Sequence, residues 1–196
     1  MNTDKMWRSF LKNGDNHSFS ILYNSHIDKL YSYGIHLGFQ KETCKDAIQD
    51  VFFKLYTSRE SLTQIDNISA YLFKSFKNRL VDIVRKNTNT QIVELVNQPF
   101  SLDITILDNI IDAEEAILLK NKVEKLLKSL TAQQREAVYL RYMHELSYDE
   151  ISELLNIKAE SARKLISRTI RKLREQTGPH LSKAQLMLTF PLITIL

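Results

Sequence analysis

From His17 to Leu37 the apolar residues Phe19, Leu22, Tyr23, Ile27, Leu30, Tyr31 and Leu37 recur mostly every three or four positions. That spacing predicts an amphipathic helix with one buried face. Gly14-Asp15 just before it supplies a turn and a capping carboxylate. Asp46 to Tyr56 and Ala70 to Lys86 read as two further helices, and Ser58 to Ser69 between them, with little periodicity, reads as a loop. After Lys86 the pattern dissolves into the helix-averse run Asn87-Thr88-Asn89-Thr90. Residues 91–112, with Pro99 and scattered acids, read as a linker. The linker also carries Ile92, Val93, Phe100, Ile104, Ile106 and Leu107, so part of it is expected to dock on something.

Helical periodicity returns from Glu114 to Leu130, with acids in the first turn and lysines in the last, as the helix dipole favours. Thr131-x-x-Gln134 and Ser147-x-x-Glu150 then match capping boxes, which place two helix starts within twenty residues. Tyr148 to Leu155 is followed, across only Asn156, Ile157 and Lys158, by a last helix from Ala159 to Arg174. No internal repeat or low-complexity segment interrupts this order. The pattern predicts an all-α fold: two helical domains joined by a linker, the C-terminal one a helix-turn-helix.

Composition narrows the classes of function. Hydrophobic residues are 43% and charged residues 26% of the 196, an ordinary globular mix that excludes wholesale disorder. Four Gly and three Pro are too few for Gly-rich nucleotide loops or a turn-dense β-sandwich. Cys44 is the sole cysteine, so neither an intrachain disulfide nor a cysteine-based zinc site forms. His17, His26, His36, His144 and His180 lack metal-ligand spacing and read as core or surface residues. Met1 to Phe10 has no apolar run, so no signal peptide is expected. No stretch reaches the roughly 18 apolar residues of a membrane span, and a cytoplasmic protein without metal or cofactor is expected.

Charge is unevenly placed. Residues 1–93 carry 13 Lys and Arg against 9 Asp and Glu, residues 94–128 carry 4 against 7, and residues 129–196 carry 10 against 7. Two cationic modules flank an acidic connector. Between Lys158 and Arg174 seven basic residues stand against the single acid Glu160. On a helical wheel Ala162, Leu165, Ile166, Thr169, Ile170 and Leu173 share one face, and Glu160, Arg163, Lys164, Ser167, Arg171 and Arg174 the other. A short helix, a three-residue turn and a cationic second helix form the pattern that lays its second helix in the major groove. A solvated basic face is the plain alternative.

The helix from Ala70 to Lys86 buries Leu72, Phe73, Phe76, Leu80, Ile83 and Val84 on this reading, and turns out Tyr71, Lys74, Ser75, Asn78, Asp82 and Arg85. An aromatic, an amide and two cations on one face suit an unpaired strand, where a base stacks, an amide reads its edge and cations hold the backbone. Taken alone, an ordinary amphipathic helix explains that face more simply. The helix from Asp46 to Tyr56 buries Ala47, Ile48, Val51, Phe52, Leu55 and Tyr56, and turns out Asp46, Gln49, Asp50 and Phe53. An apolar ring among acids suits a protein contact, although a single exposed Phe is also common. No nucleophile–base pairing, P-loop or dinucleotide fingerprint suggests catalysis.

Two blocks of residues resemble bacterial RNA polymerase sigma factors of the extracytoplasmic-function group. Asp46-Ala-Ile-Gln-Asp-Val-Phe-Phe-Lys-Leu-Tyr56 is similar to the family's polymerase-binding helix. Ala70-Tyr-Leu-Phe and Asn78-Arg-Leu-Val-Asp-Ile-Val-Arg-Lys86 are similar to its promoter-melting and −10 helix. Leu130-Thr-x-x-Gln-Arg-Glu136, Leu140-Arg-Tyr142, Leu146-Ser-Tyr-x-Glu-Ile151, Ala162-Arg163 and Arg171-Lys-Leu-Arg-Glu175 resemble its −35-binding domain. The blocks stand in the family's order with its acidic linker between them.

The resemblance implies a non-enzymatic initiation subunit whose partners are core RNA polymerase, promoter DNA and, in some members, an anti-sigma factor, with no small-molecule substrate. It implies domains at 1–90 (polymerase and −10), 91–113 (linker) and 114–178 (−35), with an apolar tail at 179–196. Asp46, Gln49, Asp50 and Phe53 would face the polymerase, Gln49 and Asp50 on its clamp helices. Tyr71, Lys74, Asn78 and Arg85 would bind the −10 strand, Asn78 in the pocket of a flipped base walled by the loop from Leu62 to Ser69. At the −35 element Glu160, Ser161, Arg163 and Lys164 would reach the major groove and Arg168, Arg171 and Lys172 the phosphates, with Lys158 and Ser167 also among the DNA-binding residues.

Three features depart from the family. Lys158 stands where a capping Ser or Thr is frequent, and Leu165, expected to be buried, replaces a commonly basic residue. The tail from Leu186 to Leu196 is unusually apolar, too short to span a bilayer, and expected to pack on a domain or partner. Rival readings are a dimeric helix-turn-helix repressor or activator, which leaves residues 46–86 without a role, an enzyme on a helical scaffold, and a structural adaptor.

Overall fold

A computed structural model of the chain describes residues 3–87, 100–101, 121 and 123–177, and every described regular element is helical. The chain divides into two compact units, Met1–Gln98 and Pro99–Leu196.

The N-terminal unit contains α1 (Thr3–Asn13), α2 (Asn16–His36), α3 (Lys41–Thr57), a 3-10 turn (Arg59–Leu62) and α4 (Ile68–Asn87). The helix α1 has no counterpart in the periodicity, because its two buried residues, Trp7 and Phe10, stand among polar neighbours. Its rings join an aromatic cluster: Phe10 packs 5.3 Å from Phe19 and 5.8 Å from Tyr56, and Phe19 lies edge-on to Phe52 at 6.1 Å. Asp15 caps α2 as expected, its carboxylate accepting the Ser18 N–H at 2.7 Å. That bond holds the Asp15 carboxyl below its ordinary pKa.

Helix α3 starts five residues before Asp46, because Cys44 is buried and belongs to the same face. Burial lifts the Cys44 thiol to a pKa of about 11, so it is an inert packing group. Helix α4 starts two residues before Ala70 because the Asn67 side chain accepts the Ala70 N–H at 3.1 Å and caps it. Leu72, Phe73, Phe76 and Leu80 are fully buried and carry the α4 core stripe, whereas Ile83 and Val84 are half-buried. The helical core is closed by Leu22, Leu30, Tyr33, Val51, Phe52 and Leu55 from α2 and α3. His26 and His36 lie inside this unit, and His17 lies on its surface.

In the C-terminal unit residues 123–128 are helical, followed by α5 (Ala132–Met143), α6 (Tyr148–Leu155) and α7 (Ala159–Thr177). Both capping boxes form: Thr131 with Gln134 before α5, and Ser147 with Glu150 before α6. Asn156, at φ +52°, ends α6 in the left-handed conformation that asparagine tolerates, and the chain turns into α7. The three-residue turn and both flanking helices therefore match the sequence reading.

Phe100 fulfils the expectation that the linker docks. It is 2% exposed, its ring lies 5.3 Å from Tyr139, and its carbonyl accepts from Arg135 Nε at 2.8 Å. Arg135 Nη1 also donates to the Leu127 and Leu130 carbonyls at 3.1 and 2.6 Å, which closes the end of the 123–128 helix. The rest of the 91–112 linker, the expected helix start at Glu114, His180 and the apolar tail lie outside the described residues.

Candidate nucleic-acid interface

The periodicity of α7 turns its apolar residues inward and its cations outward. Ala162, Ile166, Thr169, Ile170 and Leu173 are buried, and Thr169 satisfies its hydroxyl on the Leu165 carbonyl at 2.7 Å. Leu165, expected inside, is only half-buried, at the edge of the stripe. Lys158, Glu160, Ser161, Arg163, Lys164, Ser167, Arg168 and Arg171 are all exposed on the opposite side.

Several of these side chains are held. Lys164 pairs with Glu160 one turn earlier at 2.7 Å, and Arg171 lies 3.8 Å from Glu175. The Arg163 guanidinium stacks over the Tyr148 ring of α6 at 5.3 Å, and Arg141 covers the same ring at 4.8 Å. Arg141 is anchored by a 2.7 Å bond from its Nη1 to the Leu146 carbonyl. Lys172 differs from its neighbours: it is half-buried, and its ammonium donates to the Ser129 carbonyl within the same unit. The wheel places Lys172 at the margin of the polar face, where a neighbouring helix end is within reach of a long side chain.

On α4, Lys74, Asn78, Asp82 and Arg85 are exposed, and Tyr71 and Ser75 are half-exposed. The polar face read from the sequence is therefore open to solvent. The segment between α3 and α4 presents Glu60, Ser61, Thr63, Gln64, Asp66 and Asn67 to solvent beside the start of α4. Its exposed side chains are all polar, and it connects the two helices over the surface.

On α3, Asp46, Gln49 and Phe53 are exposed, Phe53 at 68%. Tyr56, which the periodicity assigns to the interior, is 44% exposed and corrects that reading. Its ring leans 5.1 Å from Phe19, but its hydroxyl reaches the surface and donates to Asn16 Oδ1 at 3.2 Å. A phenol at a helix end can cover an aromatic cluster with its ring and keep its hydroxyl wet. Phe19, Tyr23, Ile27, Phe52, Phe53 and Tyr56 line an open apolar groove of about 600 Å³ between α2 and α3.

Asp50 is half-buried and paired with Arg79 of α4, with both Arg79 Nε and Nη2 on one carboxylate oxygen. Sequence reasoning did not single out Arg79, because a wheel identifies faces and not the partner across an interhelical cleft. It likewise missed Trp7 and the stacking role of Tyr148. Among the described residues no group of three or more His, Cys, Asp or Glu could hold a metal ion, and no helix is long and apolar enough to cross a membrane.

Comparison with known proteins gives two family matches. The model for Sigma-70 region 2 matches residues 22–90, and that for Sigma-70, region 4 matches residues 120–173. The chain is 24% identical over 173 residues to the ECF RNA polymerase sigma factor SigW of Bacillus subtilis, covering 85% of this chain and 92% of that protein. It is 22% identical over 162 residues to SigM of the same organism, covering 78% and 91%. A similar solved structure is the sigma factor RpoE of Bartonella quintana, in complex with the anti-sigma factor NepR. It has a TM-score of 0.54 and 21% identity, and the match covers 83% of this chain and 98% of that one.

Proposed function

The chain belongs to the sigma-70 family of RNA polymerase sigma factors, in the extracytoplasmic-function group that directs the polymerase to specific promoters, and from that premise we propose which residues do the work. Residues 1–90 serve polymerase docking and −10 recognition, residues 91–113 form the linker, and residues 114–178 bind the −35 duplex. Residues 179–196 form an apolar tail. Asp46, Gln49, Asp50 and Phe53 meet core RNA polymerase. Tyr71, Lys74, Asn78 and Arg85 take the unpaired −10 strand. Glu160, Ser161, Arg163 and Lys164 read the −35 groove, Arg168, Arg171 and Lys172 lie toward phosphates, and Lys158 and Ser167 complete the DNA-binding set.

One observation carries this assignment. The polar faces of α3, α4 and α7, derived from helical spacing alone, are turned to solvent, with Asp50, Tyr71 and Ser75 half-exposed, and the cations of α7 other than Lys172 point away from its own core. The chain itself performs no chemistry on this reading. Phosphodiester formation stays in the polymerase, and the subunit works in the cytoplasm. Specificity comes from joining two weak contacts on one enzyme, which raises the effective concentration of the second once the first is made. An anti-sigma partner is a further expected ligand, since the related RpoE structure holds one.

The decisive experiment adds the purified chain to core RNA polymerase with a promoter library. Promoter-dependent transcripts are expected, together with weak promoter binding by the chain alone. Tight, sequence-selective operator binding by a stable dimer of the free chain at physiological salt would support the repressor reading instead.

A further inference from the structure

Helix α1 and the turn that follows it lie outside the region 2 match, which begins at residue 22, yet they meet the segment between α3 and α4 at two points. Trp7, 1% exposed, donates its indole N–H to the Ile65 carbonyl at 2.9 Å, across 58 residues of sequence. Gly14, at φ +64°, is covered by the Arg59 guanidinium so closely that a Cβ there would lie 1.5 Å from an Arg59 nitrogen. The Arg59 packing lies at the beginning of the loop and the Trp7 bond in its middle.

The far end of the loop is fixed as well. The Asn67 side chain caps α4, and Ser69 Oγ lies 2.9 Å from Nε2 of the buried His26. Within the loop the 3-10 turn at Arg59–Leu62 and short turns bond the backbone, Ser61 N–H to Ser58 O at 3.0 Å and Ile65 N–H to Leu62 O at 3.1 Å. An irregular backbone of this kind has no ladder to hold it, so its course depends on outside donors. Buried tryptophan generally finds a partner for its N–H. The informative feature here is the acceptor: a loop carbonyl beside exposed Gln64 and Asp66, and not a group on α1 itself.

We propose that Trp7 is a positioning residue for −10 recognition, fixing through the Ile65 carbonyl the loop that leads into α4, the helix whose exposed face carries Asn78. The proposal rests on the reading of that loop and the α4 face as the −10 pocket. A reading site must hold its groups within about 0.5 Å to discriminate. Removing the Trp7 donor leaves the polar tip in place but lets the backbone beneath it drift. Choice among bases is then lost while polymerase docking, which uses α3, is retained.

The test is an in vitro transcription panel in which the holoenzyme meets promoters substituted at each −10 position. Trp7→Phe keeps a ring in the core and removes the N–H. It is expected to narrow the ratio between the preferred base and its competitors at one −10 position by roughly three- to tenfold, the worth of one hydrogen bond. Affinity for core polymerase is expected to stay constant. Phe10→Leu is the comparator, since it loosens the packing of the same helix and leaves the Trp7 indole donor in place. It should lower the melting temperature and leave the base ratio unchanged. Arg59→Ala releases the other contact without opening the core and should narrow the ratio in the same direction, a readout that stands even if Trp7→Phe folds poorly.

An unchanged ratio in Trp7→Phe, or in Arg59→Ala where Trp7→Phe does not fold, overturns the proposal, as does an equal change in Phe10→Leu. Asn78→Ala separates the two levels of the argument. If it abolishes base choice while Trp7→Phe does not, only the positioning role fails. If it too leaves base choice intact, the pocket assignment fails and carries the positioning role with it.

Discussion

Arg79 of α4 places its Nε and Nη2 on the same carboxylate oxygen of Asp50 on α3, at 2.6 and 2.5 Å. The pair bridges the cleft between a helix assigned to the polymerase and one assigned to the −10 strand, and Arg79 directly follows Asn78 in sequence. The two donors converge on Oδ2. Asp50 therefore has two expected roles, one holding α4 and one facing the polymerase.

The side chains of Asp50 and Arg79 are 46% and 32% exposed, so solvent screens the pair and its coupling is modest. A double-mutant cycle of Asp50→Ala and Arg79→Ala in urea unfolding is expected to give a coupling energy of about 0.5–1 kcal/mol. Arg79→Ala should also weaken base choice at the −10 element, because it frees the turn that carries Asn78. Additive unfolding energies together with unaltered base choice would remove the bridge from the account.

Gly34 supplies a second prediction, about packing. A Cβ there would lie 2.6 Å from Cys44 Sγ on α3 and 2.9 Å from the Phe76 ring on α4, so the glycine sits where α2 packs tightly against both helices. In an open helix interior Gly→Ala is stabilising by about 0.5–1 kcal/mol. Here the overlap reverses the sign, and Gly34→Ala is expected to destabilise by about 1–3 kcal/mol in thermal unfolding. Adding Cys44→Ala should recover part of the loss, because it removes the nearer obstacle. A raised melting temperature in the single variant contradicts this packing.

These two sites also mark how far the sequence could be read. Elements with a clean stripe were legible: Asp15 as the cap of α2, both capping boxes, and the three-residue turn before α7. The outward faces of α4 and α7 were legible for the same reason, since 3.6 residues per turn fixes which side chains share a side. Helix α1 was not, because two buried aromatics in eleven residues make no periodic signal. Tyr56 was misplaced since a wheel assigns an angle but not the end of the helix, where the core gives out. Long-range pairings such as Asp50–Arg79, Arg163–Tyr148 and Trp7–Ile65 depend on tertiary placement, which spacing along one element does not encode.

A pH effect follows from His26. Its Nδ1 lies 2.8 Å from the Leu22 carbonyl, which can only accept, so Nδ1 carries the hydrogen and Nε2 accepts from the Ser69 hydroxyl at 2.9 Å. Burial lowers its pKa below the ordinary 6.5, with a smaller contribution in the same direction from Lys29 and an opposing one from the Leu22 bond. The unfolded chain therefore takes up a proton that the folded chain resists. Stability from this group is complete above the ordinary imidazole value and falls as pH drops through it toward the lowered value. Unfolding free energy measured at about pH 7.5 and about pH 5.5 should decline more in the parent than in His26→Gln. Equal declines would mean that His26 titrates normally in the fold.

Arg163 gives the sharpest test of the −35 face, because its guanidinium rests on a ring of its own unit. Its guanidinium rests 5.3 Å from the centroid of Tyr148, whose other cation, Arg141, is tied to the Leu146 carbonyl. A base-reading arginine gains from such support, since less freedom is lost when it engages. Arg163→Ala is expected to cost about 1–3 kcal/mol of discrimination at one −35 position, measured with holoenzyme on a panel of duplex substitutions. Tyr148→Leu keeps bulk but removes the stacking surface, and should cost about 0.5–1 kcal/mol at that same position. The salt dependence distinguishes the alternative. A phosphate contact would weaken every promoter alike and lower the salt slope by about one unit, whereas a base contact acts on one position of the sequence. Uniform weakening in Arg163→Ala, with Tyr148→Leu silent, would move Arg163 from the groove floor to the backbone and leave base reading to Glu160, Ser161 and Lys164.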